Sequence, residues 1–266
     1  MSIPEVGYER RGPLGVIRLQ RPDSLNALTT PMIGEIERLA RAAEADRDVF
    51  AICITGEGRG FCAGLDMGVL ADHAAGRAPS AGPRTPRQAM MFSFLADLGK
   101  PVIAAVNGVA AGGGFVLAMM SDLRFMAEGA SLITVFSRRG LIAEHGTSYI
   151  LPRLVGLSRA LDLLWSSRRV DAAEALRIGL ADRIAAPEDL MAAVEAYVAD
   201  MAATVSPRAV AVMKAQVHAH LGKTFDGAAD ETVTDMAEAL AHPDAAEGAA
   251  SFVQRRPPNF AKWPEG

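Results

Sequence analysis

The chain of 266 residues is half apolar and carries a formal net charge of −4. That length and composition allow one large domain, or one domain with a helical extension, to bury an ample core. The modest negative charge, with no basic cluster in the sequence, argues against nucleic acid as a partner. No apolar stretch reaches the roughly 18 residues of a membrane span, and the amino-terminal segment lacks the apolar core of a signal peptide. We therefore expect a cytoplasmic protein that does not enter a membrane.

The first predicted elements alternate between strands and helices. Residues 6–20 predict a β-hairpin, and a helix follows with Thr30 as its N-cap and proline in its first turn. Apolar strands are predicted over residues 50–55 and 100–106, with a helix through residues 90–95 before the second strand. Continuous apolar strands that alternate with helices indicate a mostly parallel, buried sheet.

The second half of the chain becomes helical. Strands are predicted over residues 123–128 and 131–135, and an alanine-rich helical region runs from about Ser158 to Arg256. A helical end with little sheet to pack on often covers a neighbouring subunit. We therefore expect an α/β core over residues 1–195 and a helical oligomerisation region over 196–266. A separate stretch, residues 76–87, is rich in Gly, Pro and Arg and predicts a mobile loop.

Two glycine-rich turns each follow an apolar strand. The triplet Gly112–Gly114 lies between strand 100–106 and an apolar helical run, and residues 56–66 form a similar turn after strand 50–55. Bare backbone N–H groups at a helix start can face a ligand, and two such groups aimed at one carbonyl oxygen form an oxyanion hole. Close helix packing and a phosphate-binding loop are alternatives. The Gly-x-x-x-x-Gly-Lys-Ser/Thr pattern of nucleotide-binding P-loops is absent from the sequence.

Cysteine and histidine give weaker signals. The sequence contains two cysteines, of which Cys53 lies in a predicted strand as a buried thiol. Cys62 lies in the first glycine turn and could act as a nucleophile, although no partner histidine can be identified. His218 and His220 are two positions apart and face different sides of a helix, so we expect no metal site.

Five segments, in the same order, resemble the crotonase, or enoyl-CoA hydratase/isomerase, superfamily: residues 21–28, 58–67, 100–114, 117–122 and 140–156. The resemblance implies an α/β fold that is a crotonase-like spiral of β-β-α units, with a C-terminal helical trimerisation region. It also implies a homotrimer or a dimer of trimers that binds acyl-coenzyme A thioesters. Coenzyme A would be part of the substrate, and no separate cofactor, metal or nicotinamide is implied.

The same resemblance assigns site residues. The backbone N–H groups of Leu65 and Gly113 would polarise the thioester carbonyl. The residues that fall where relatives line the coenzyme A channel are Asn26, Ala27, Leu28, Phe61 and Ala63. Weaker candidates for adenine or phosphate contacts, donated across a subunit boundary, are Phe252, Phe260 and Lys262.

The expected reaction depends on the acid beside the substrate. Two positions that carry glutamate in two-carboxylate hydratases hold Val116 and Phe136 here. Glu144 occupies the place where isomerase branches carry an acid, although it could also be an ordinary carboxylate near a helix start. We therefore expect an enoyl-CoA isomerase with Glu144 as proton shuttle, with a hydratase or another enolate reaction as alternatives. A non-catalytic acyl-CoA-binding subunit is a third possibility.

Other polar side chains are expected to be structural. Asp66 is predicted to cap the helix that follows the first glycine turn, and Asp122 to hold a turn or an ion pair. His145 is expected to be a satisfied loop histidine, with an influence on Glu144 as the alternative. Met90 and Met91 are expected to pack in the core or to border the acyl pocket.

Overall fold

The computed structural model describes residues 4–77 and 85–264, without the side chains of His73 and Ala74. Residues 78–84, the centre of the loop predicted over 76–87, lie outside the described residues. Within the described range, no helix is long and apolar enough to cross a membrane.

The described residues form strands in the order β1 (Val6–Arg11), β2 (Leu14–Leu19), β3 (Ala51–Gly56), β4 (Gly60–Cys62), β5 (Val102–Val106), β6 (Val109–Ala111), β7 (Leu123–Ala127), β8 (Ser131–Ile133), β9 (Val170–Asp171) and β10 (Arg183–Ala185). The helices are α1 (Thr30–Ala45), α2 (Met67–Ala74), α3 (Gly113–Met120), α4 (Thr147–Val155), α5 (Leu157–Ser166), α6 (Ala172–Ile178), α7 (Leu190–Thr204), α8 (Pro207–His220), α9 (Phe225–Ala241) and α10 (Pro243–Gln254).

The strands form two sheets that the chain visits in turn. A six-stranded sheet has the order β1-β2-β3-β5-β7-β10, and a four-stranded sheet has the order β4-β6-β8-β9. The hairpin β1-β2 and the pair β8-β9 are antiparallel, and the other pairs are parallel. The pairs β3-β4, β5-β6 and β7-β8 each place one strand in each sheet, and helices α2, α3 and α4 follow them. This arrangement is the expected spiral of β-β-α units.

The large sheet is buried on both faces at its centre. Every residue of β3 and β5 is buried, as continuous apolar runs in parallel strands predict. Helix α1 covers one side of the sheet with the predicted face of Met32, Ile36, Leu39 and Ala43. Its N-cap is Thr29 rather than Thr30, because the Thr29 hydroxyl accepts the Met32 N–H at 3.4 Å.

Two further expectations need adjustment. The helix predicted through residues 90–95 was wrong: the chain forms a short 3-10 helix over Ser93–Asp97, because Phe92 has a left-handed backbone with φ 61°. The C-terminal half is helical as predicted, from α5 to α10, with the short strands β9 and β10 between its first helices. Helix α7 continues across the boundary predicted at residue 195.

The contact between α3 and β4 leaves no room for a side chain at Gly114. A Cβ atom there would lie 2.1 Å from the carbonyl oxygen of Cys62. Because backbone must move to relieve that overlap, we expect Gly114→Ala to lower the free energy of unfolding by about 2–3 kcal/mol. Denaturant titration would measure the change.

Gly34 gives a matched control for the same exchange. It is exposed on α1, and a Cβ atom there would meet nothing within 4 Å. Gly34→Ala should therefore raise stability by about 0.5–1 kcal/mol. Equal effects of the two variants would contradict the close approach at Gly114.

Candidate active site

The two glycine turns meet at the carboxyl ends of the paired strands β4 and β6. A Cβ atom on Gly64, which has φ 100°, would lie 2.9 Å from the Ala111 carbonyl oxygen and 3.4 Å from the Gly113 nitrogen. Residues other than glycine rarely adopt such a φ, and the neighbouring backbone leaves no space. The turns are therefore in direct backbone contact, as the paired glycine motifs suggested.

Both predicted oxyanion donors have free N–H groups. Among the described residues, neither the Leu65 nor the Gly113 N–H has a hydrogen-bond acceptor. Leu65 is held on both sides, because the Leu28 N–H donates to Gly64 at 2.7 Å and the Asp66 N–H donates to Leu28 at 3.0 Å. Gly113 is the first residue of α3, where a helix leaves N–H groups unpaired and its dipole favours negative charge. The two groups can bind a developing oxyanion.

Asn26 and Asn107 fix the first glycine turn. The Asn26 amide donates to the carbonyls of Glu57 at 3.0 Å and Gly60 at 2.8 Å, and its oxygen accepts the Arg21 N–H at 2.9 Å. The Asn107 amide donates to Gly60 at 3.2 Å. No role for Asn107 was predicted from the sequence, although an asparagine directly after a strand and before a glycine is a turn signal.

The predicted channel residues differ in exposure. The side chains of Asn26, Leu28 and Phe61 are fully buried, whereas Ala27 and Ala63 are half-buried. A ligand in this stretch would therefore meet the two alanines and the backbone. Phe61, Leu28 and Asn26 lie behind that surface and give it shape.

Glu144 lies in a partly exposed turn before α4. Its carbonyl accepts the N–H of Thr147 at 3.0 Å and the Thr147 hydroxyl at 2.7 Å. The next residue, His145, has a left-handed backbone with φ 51° and its Nδ1 accepts the Met91 N–H at 3.2 Å. The Met91 methyl in turn lies 3.7 Å from the Cβ position of Gly113. His145 and Met91 thus connect the Glu144 turn to the oxyanion donor.

The two positions that hold glutamate in two-carboxylate hydratases are apolar and closed. Val116 in α3 and Phe136 after β8 are 1% and 4% exposed, respectively. Neither side chain can transfer a proton. Glu144 therefore stays the acid predicted from the sequence for this site.

The cysteines and Asp66 have structural surroundings. Burial raises the pKa of Cys62 to about 12, so its thiol is not a nucleophile at neutral pH, and Cys53 is equally buried. Asp66 accepts the Gly68 N–H at 2.9 Å and pairs with Arg21 at 3.0 Å; these contacts lower the pKa of its carboxyl. Asp66 therefore caps α2, as predicted.

Two of the three carboxy-terminal candidates lie at the end of the large sheet opposite the glycine turns of their own chain. Phe260 and Lys262 line a cavity of about 320 Å³ beside Phe50, which precedes β3 and marks the end of the sheet opposite the glycine turns. Lys262 also pairs with Asp48. Phe252 is exposed on α10.

The comparisons with known proteins identify the family. A sequence model described as enoyl-CoA hydratase/isomerase matches residues 9–263. The chain belongs to the enoyl-CoA hydratase/isomerase family. It is therefore an enzyme of the crotonase superfamily, and the expected recognition is confirmed.

Individual relatives cover almost the whole chain. A "Probable enoyl-CoA hydratase" of Rhizobium meliloti is 34% identical over 98% of this chain and 99% of its own length. The 1,2-epoxyphenylacetyl-CoA isomerase of Escherichia coli is 32% identical over 92% of this chain and 93% of its own. The crystal structure of an enoyl-CoA hydratase from Mycobacterium tuberculosis superposes with a TM-score of 0.87 and 28% identity, over 97% of this chain and 99% of that one. Hydratase and isomerase names thus occur among similar proteins.

The His145 contact gives a test of how the Glu144 turn is held. His145→Ala removes the acceptor for the Met91 N–H, and losing one such bond costs about 1 kcal/mol. We expect turnover to fall by about fivefold to tenfold, with a smaller effect on KM. His145→Asn keeps an acceptor and tolerates a left-handed backbone, so it should retain more activity. His220→Ala on α8 is the control, and an equal loss there would contradict this role.

The same histidine predicts a pH dependence. Burial lowers the pKa of His145 from its ordinary value of 6.5, and the Glu144 charge offsets part of that shift. As the pH falls, His145 in the unfolded chain therefore becomes protonated at a higher pH than His145 in the folded chain. The contribution of neutral His145 to the free energy of unfolding is complete above pH 6.5. This contribution is lost as the pH falls through the folded-state pKa of His145. Unfolding free energies of wild type and His145→Asn, measured across that range, should converge at acid pH.

Proposed function

We propose that this enzyme moves the double bond of a 3-enoyl-CoA into conjugation with the thioester, with Glu144 as the proton shuttle. The observation that carries the proposal is the connection of the Glu144 turn, through His145 and Met91, to the oxyanion donor Gly113. The buried apolar side chains at the two other family acid positions support a mechanism with one carboxylate.

The reaction follows from the two free N–H groups and one acid. The thioester carbonyl accepts hydrogen bonds from Leu65 and Gly113, which stabilise negative charge on its oxygen. The Glu144 carboxylate removes a proton from C2, and the electron pair moves into the enolate. The protonated Glu144 then gives the proton to C4. The double bond between C3 and C4 becomes one between C2 and C3, and the enzyme is unchanged.

Hydration of a 2-enoyl-CoA is the second candidate. It is favoured by the names of relatives, most of which are hydratases. In that reaction Glu144 would have to activate the water and supply the C2 proton, two tasks that two carboxylates share in the other branch. A subunit that binds acyl-CoA without turnover would fit the apolar residues Val116 and Phe136, but membership of an enzyme family favours catalysis.

We also propose that the chain assembles as a homotrimer or a dimer of trimers. Large apolar side chains are exposed along the C-terminal helices of a single chain: Met213, Val217, Phe225, Val233, Leu240, Phe252 and Val253. Apolar surface of this extent is characteristic of a subunit interface. A neighbouring subunit would also bring the carboxy-terminal candidates Phe252, Phe260 and Lys262 within reach of a second site.

Removing one oxyanion donor tests the carbonyl site. Gly113→Pro deletes the N–H at the first helical position, where proline is tolerated. We expect kcat to fall by about 100-fold to 1,000-fold, measured with the preferred enoyl-CoA. Gly113→Ala is the matched control, because it keeps the N–H and adds a methyl 3.1 Å from Leu28 Cδ1. An equal loss of kcat in the two variants would mean that the added bulk at position 113, rather than the missing N–H, lowers turnover.

The role of Glu144 is tested with two substrates. Purified protein is given trans-3-enoyl-CoA and trans-2-enoyl-CoA separately, and the conjugated thioester is followed by absorbance with product identification. We expect the double bond of trans-3-enoyl-CoA to move into conjugation with the thioester, and trans-2-enoyl-CoA to remain unhydrated. Glu144→Gln should lower turnover by about 100-fold or more, whereas exposed Glu188→Gln should not. Ready hydration of the 2-enoyl substrate would favour the hydratase, and full activity of Glu144→Gln would overturn the shuttle.

A further inference from the structure

Arg21 follows β2 and is far in sequence from the first glycine turn, yet its side chain is bonded to that turn. The Nη1 atom of Arg21 donates to the Ala27 carbonyl at 2.6 Å and to a carboxylate oxygen of Asp66 at 3.0 Å. Asp66 directly follows Leu65, one of the two proposed oxyanion donors. The guanidinium therefore links the segment that carries this donor to the segment on which it packs.

The backbones of these two segments are paired at a single position. Leu28 and Leu65 form an isolated parallel β-bridge. Its two hydrogen bonds run from the Leu28 N–H to Gly64 at 2.7 Å and from the Asp66 N–H to Leu28 at 3.0 Å. Short strand pairs are only marginally stable by themselves. The direction of the Leu65 N–H therefore depends on further bonds between the segments, and the Arg21 guanidinium supplies a bond to each of them.

Arg21 is itself held in one orientation. Its Nε atom lies 3.1 Å from one carboxylate oxygen of Glu5, and the other Glu5 oxygen accepts the Thr29 hydroxyl at 2.9 Å. The Arg21 N–H donates to the Asn26 side-chain oxygen at 2.9 Å, and the Arg21 carbonyl accepts the Asn26 N–H at 2.8 Å. The side chains of Arg21 and Asp66 are 22% and 26% exposed, so water and salt weaken their pairing less than that of a surface ion pair. Arg21 is thus a fixed point against which Asp66 is held.

The two carboxylate oxygens of Asp66 have different partners. One accepts the Gly68 N–H at 2.9 Å in the first turn of α2, and the other is bonded to Arg21. Leu65 therefore lies between the β-bridge on one side and, on the other, a carboxylate that is bonded to both Arg21 and α2. A substitution at either end of the Arg21–Asp66 pair can remove their link and leave the α2 cap in place.

We propose that Arg21 is a positioning residue that aims the Leu65 N–H at the thioester oxygen, acting through Ala27 and Asp66. The assignment rests on the oxyanion role of Leu65 in the proposed function, but not on which acid moves the proton. Oxyanion donors act over about 2.7–3.1 Å, so a small displacement of Leu65 weakens the stabilisation of the transition state. An interaction that strengthens in the transition state contributes to kcat rather than to KM.

Turnover of the preferred enoyl-CoA tests the link. Arg21→Gln removes the ion pair with Asp66, and we expect kcat to fall by about tenfold to fiftyfold, with KM within about threefold. Arg21→Lys should retain more activity, because both bonds come from the single Nη1 atom and an ammonium can donate to two oxygens. Arg11→Gln, which breaks two ion pairs of β1, is the matched control and should leave kcat unchanged.

A double-mutant cycle tests whether Arg21 acts through Asp66. Asp66→Asn keeps an acceptor for the Gly68 N–H and removes the charge that Arg21 binds, so it should lower kcat about as much as Arg21→Gln. The double variant should lose little more than either single variant, because both substitutions remove the same link. Additive losses would mean that the two residues act independently, and would overturn the proposal.

The absorbance of a bound conjugated thioester measures carbonyl polarisation without turnover. The ligand p-dimethylaminocinnamoyl-CoA absorbs in the near ultraviolet, and hydrogen bonds to its carbonyl oxygen shift this absorbance to longer wavelength. We expect the shift in wild type and in Arg11→Gln, and a smaller shift in Arg21→Gln. A full shift in Arg21→Gln, with or without a lower kcat, overturns the proposal.

The same ligand separates this proposal from the proposed reaction. Bound ligand without a shift in wild type contradicts the oxyanion site itself, and the proposal with it. A wild-type shift that is reduced in Arg21→Gln, without turnover of either enoyl-CoA isomer, supports the proposal and contradicts the isomerase. Equal losses of kcat and of unfolding free energy in Arg21→Gln and Arg11→Gln would mean general destabilisation, and would overturn it. If Arg21→Gln does not fold, Arg21→Lys and Asp66→Asn replace it in both measurements.

Discussion

The proposed oxyanion site depends on two backbone turns that approach more closely than side chains would permit. Gly64 lies against Ala111, and Gly114 lies against the Cys62 carbonyl. Two amides, those of buried Asn26 and half-buried Asn107, both donate to the Gly60 carbonyl of the first turn. Because linked hydrogen bonds reinforce one another, these amides can fix the free N–H groups in place before any substrate arrives. Such preorganisation is what makes oxyanion stabilisation effective.

The surroundings of that site then restrict its chemistry. Val116 and Phe136 are closed and apolar, so water has no second carboxylate there to orient it. The acid at Glu144 is attached to a turn whose backbone contacts lead to Met91 and on to the oxyanion glycine. One carboxylate beside a stabilised enolate can take a proton from one carbon and return it to another. Hydration would also require the same carboxylate to activate a water molecule. Isomerisation is therefore the simpler reaction for this site.

Much of the fold and part of the site could be predicted from sequence. The strands and α1 were predictable because continuous apolar runs and an apolar helix face require burial. The glycine turns were predictable because glycine lowers the stability of regular helices and strands. The 3-10 helix at Ser93–Asp97 was not predictable, because no local pattern in the sequence indicates the left-handed backbone of Phe92. The amide clamp of Asn107 and the pairing of Asp122 with Lys214 join residues far apart in sequence. No local pattern encodes such pairs.

Helix α8 is fastened to the core on one side and open on the other. Lys214 ties the helix to the core through Asp122 and two backbone carbonyls. The same helix carries Met213 and Val217, and both side chains are more than half exposed in a single chain. Burial of these apolar side chains would be favourable. A neighbouring subunit packed on α8 would bury them without moving the helix, so the proposed trimer can form on a surface that the single chain already holds in place.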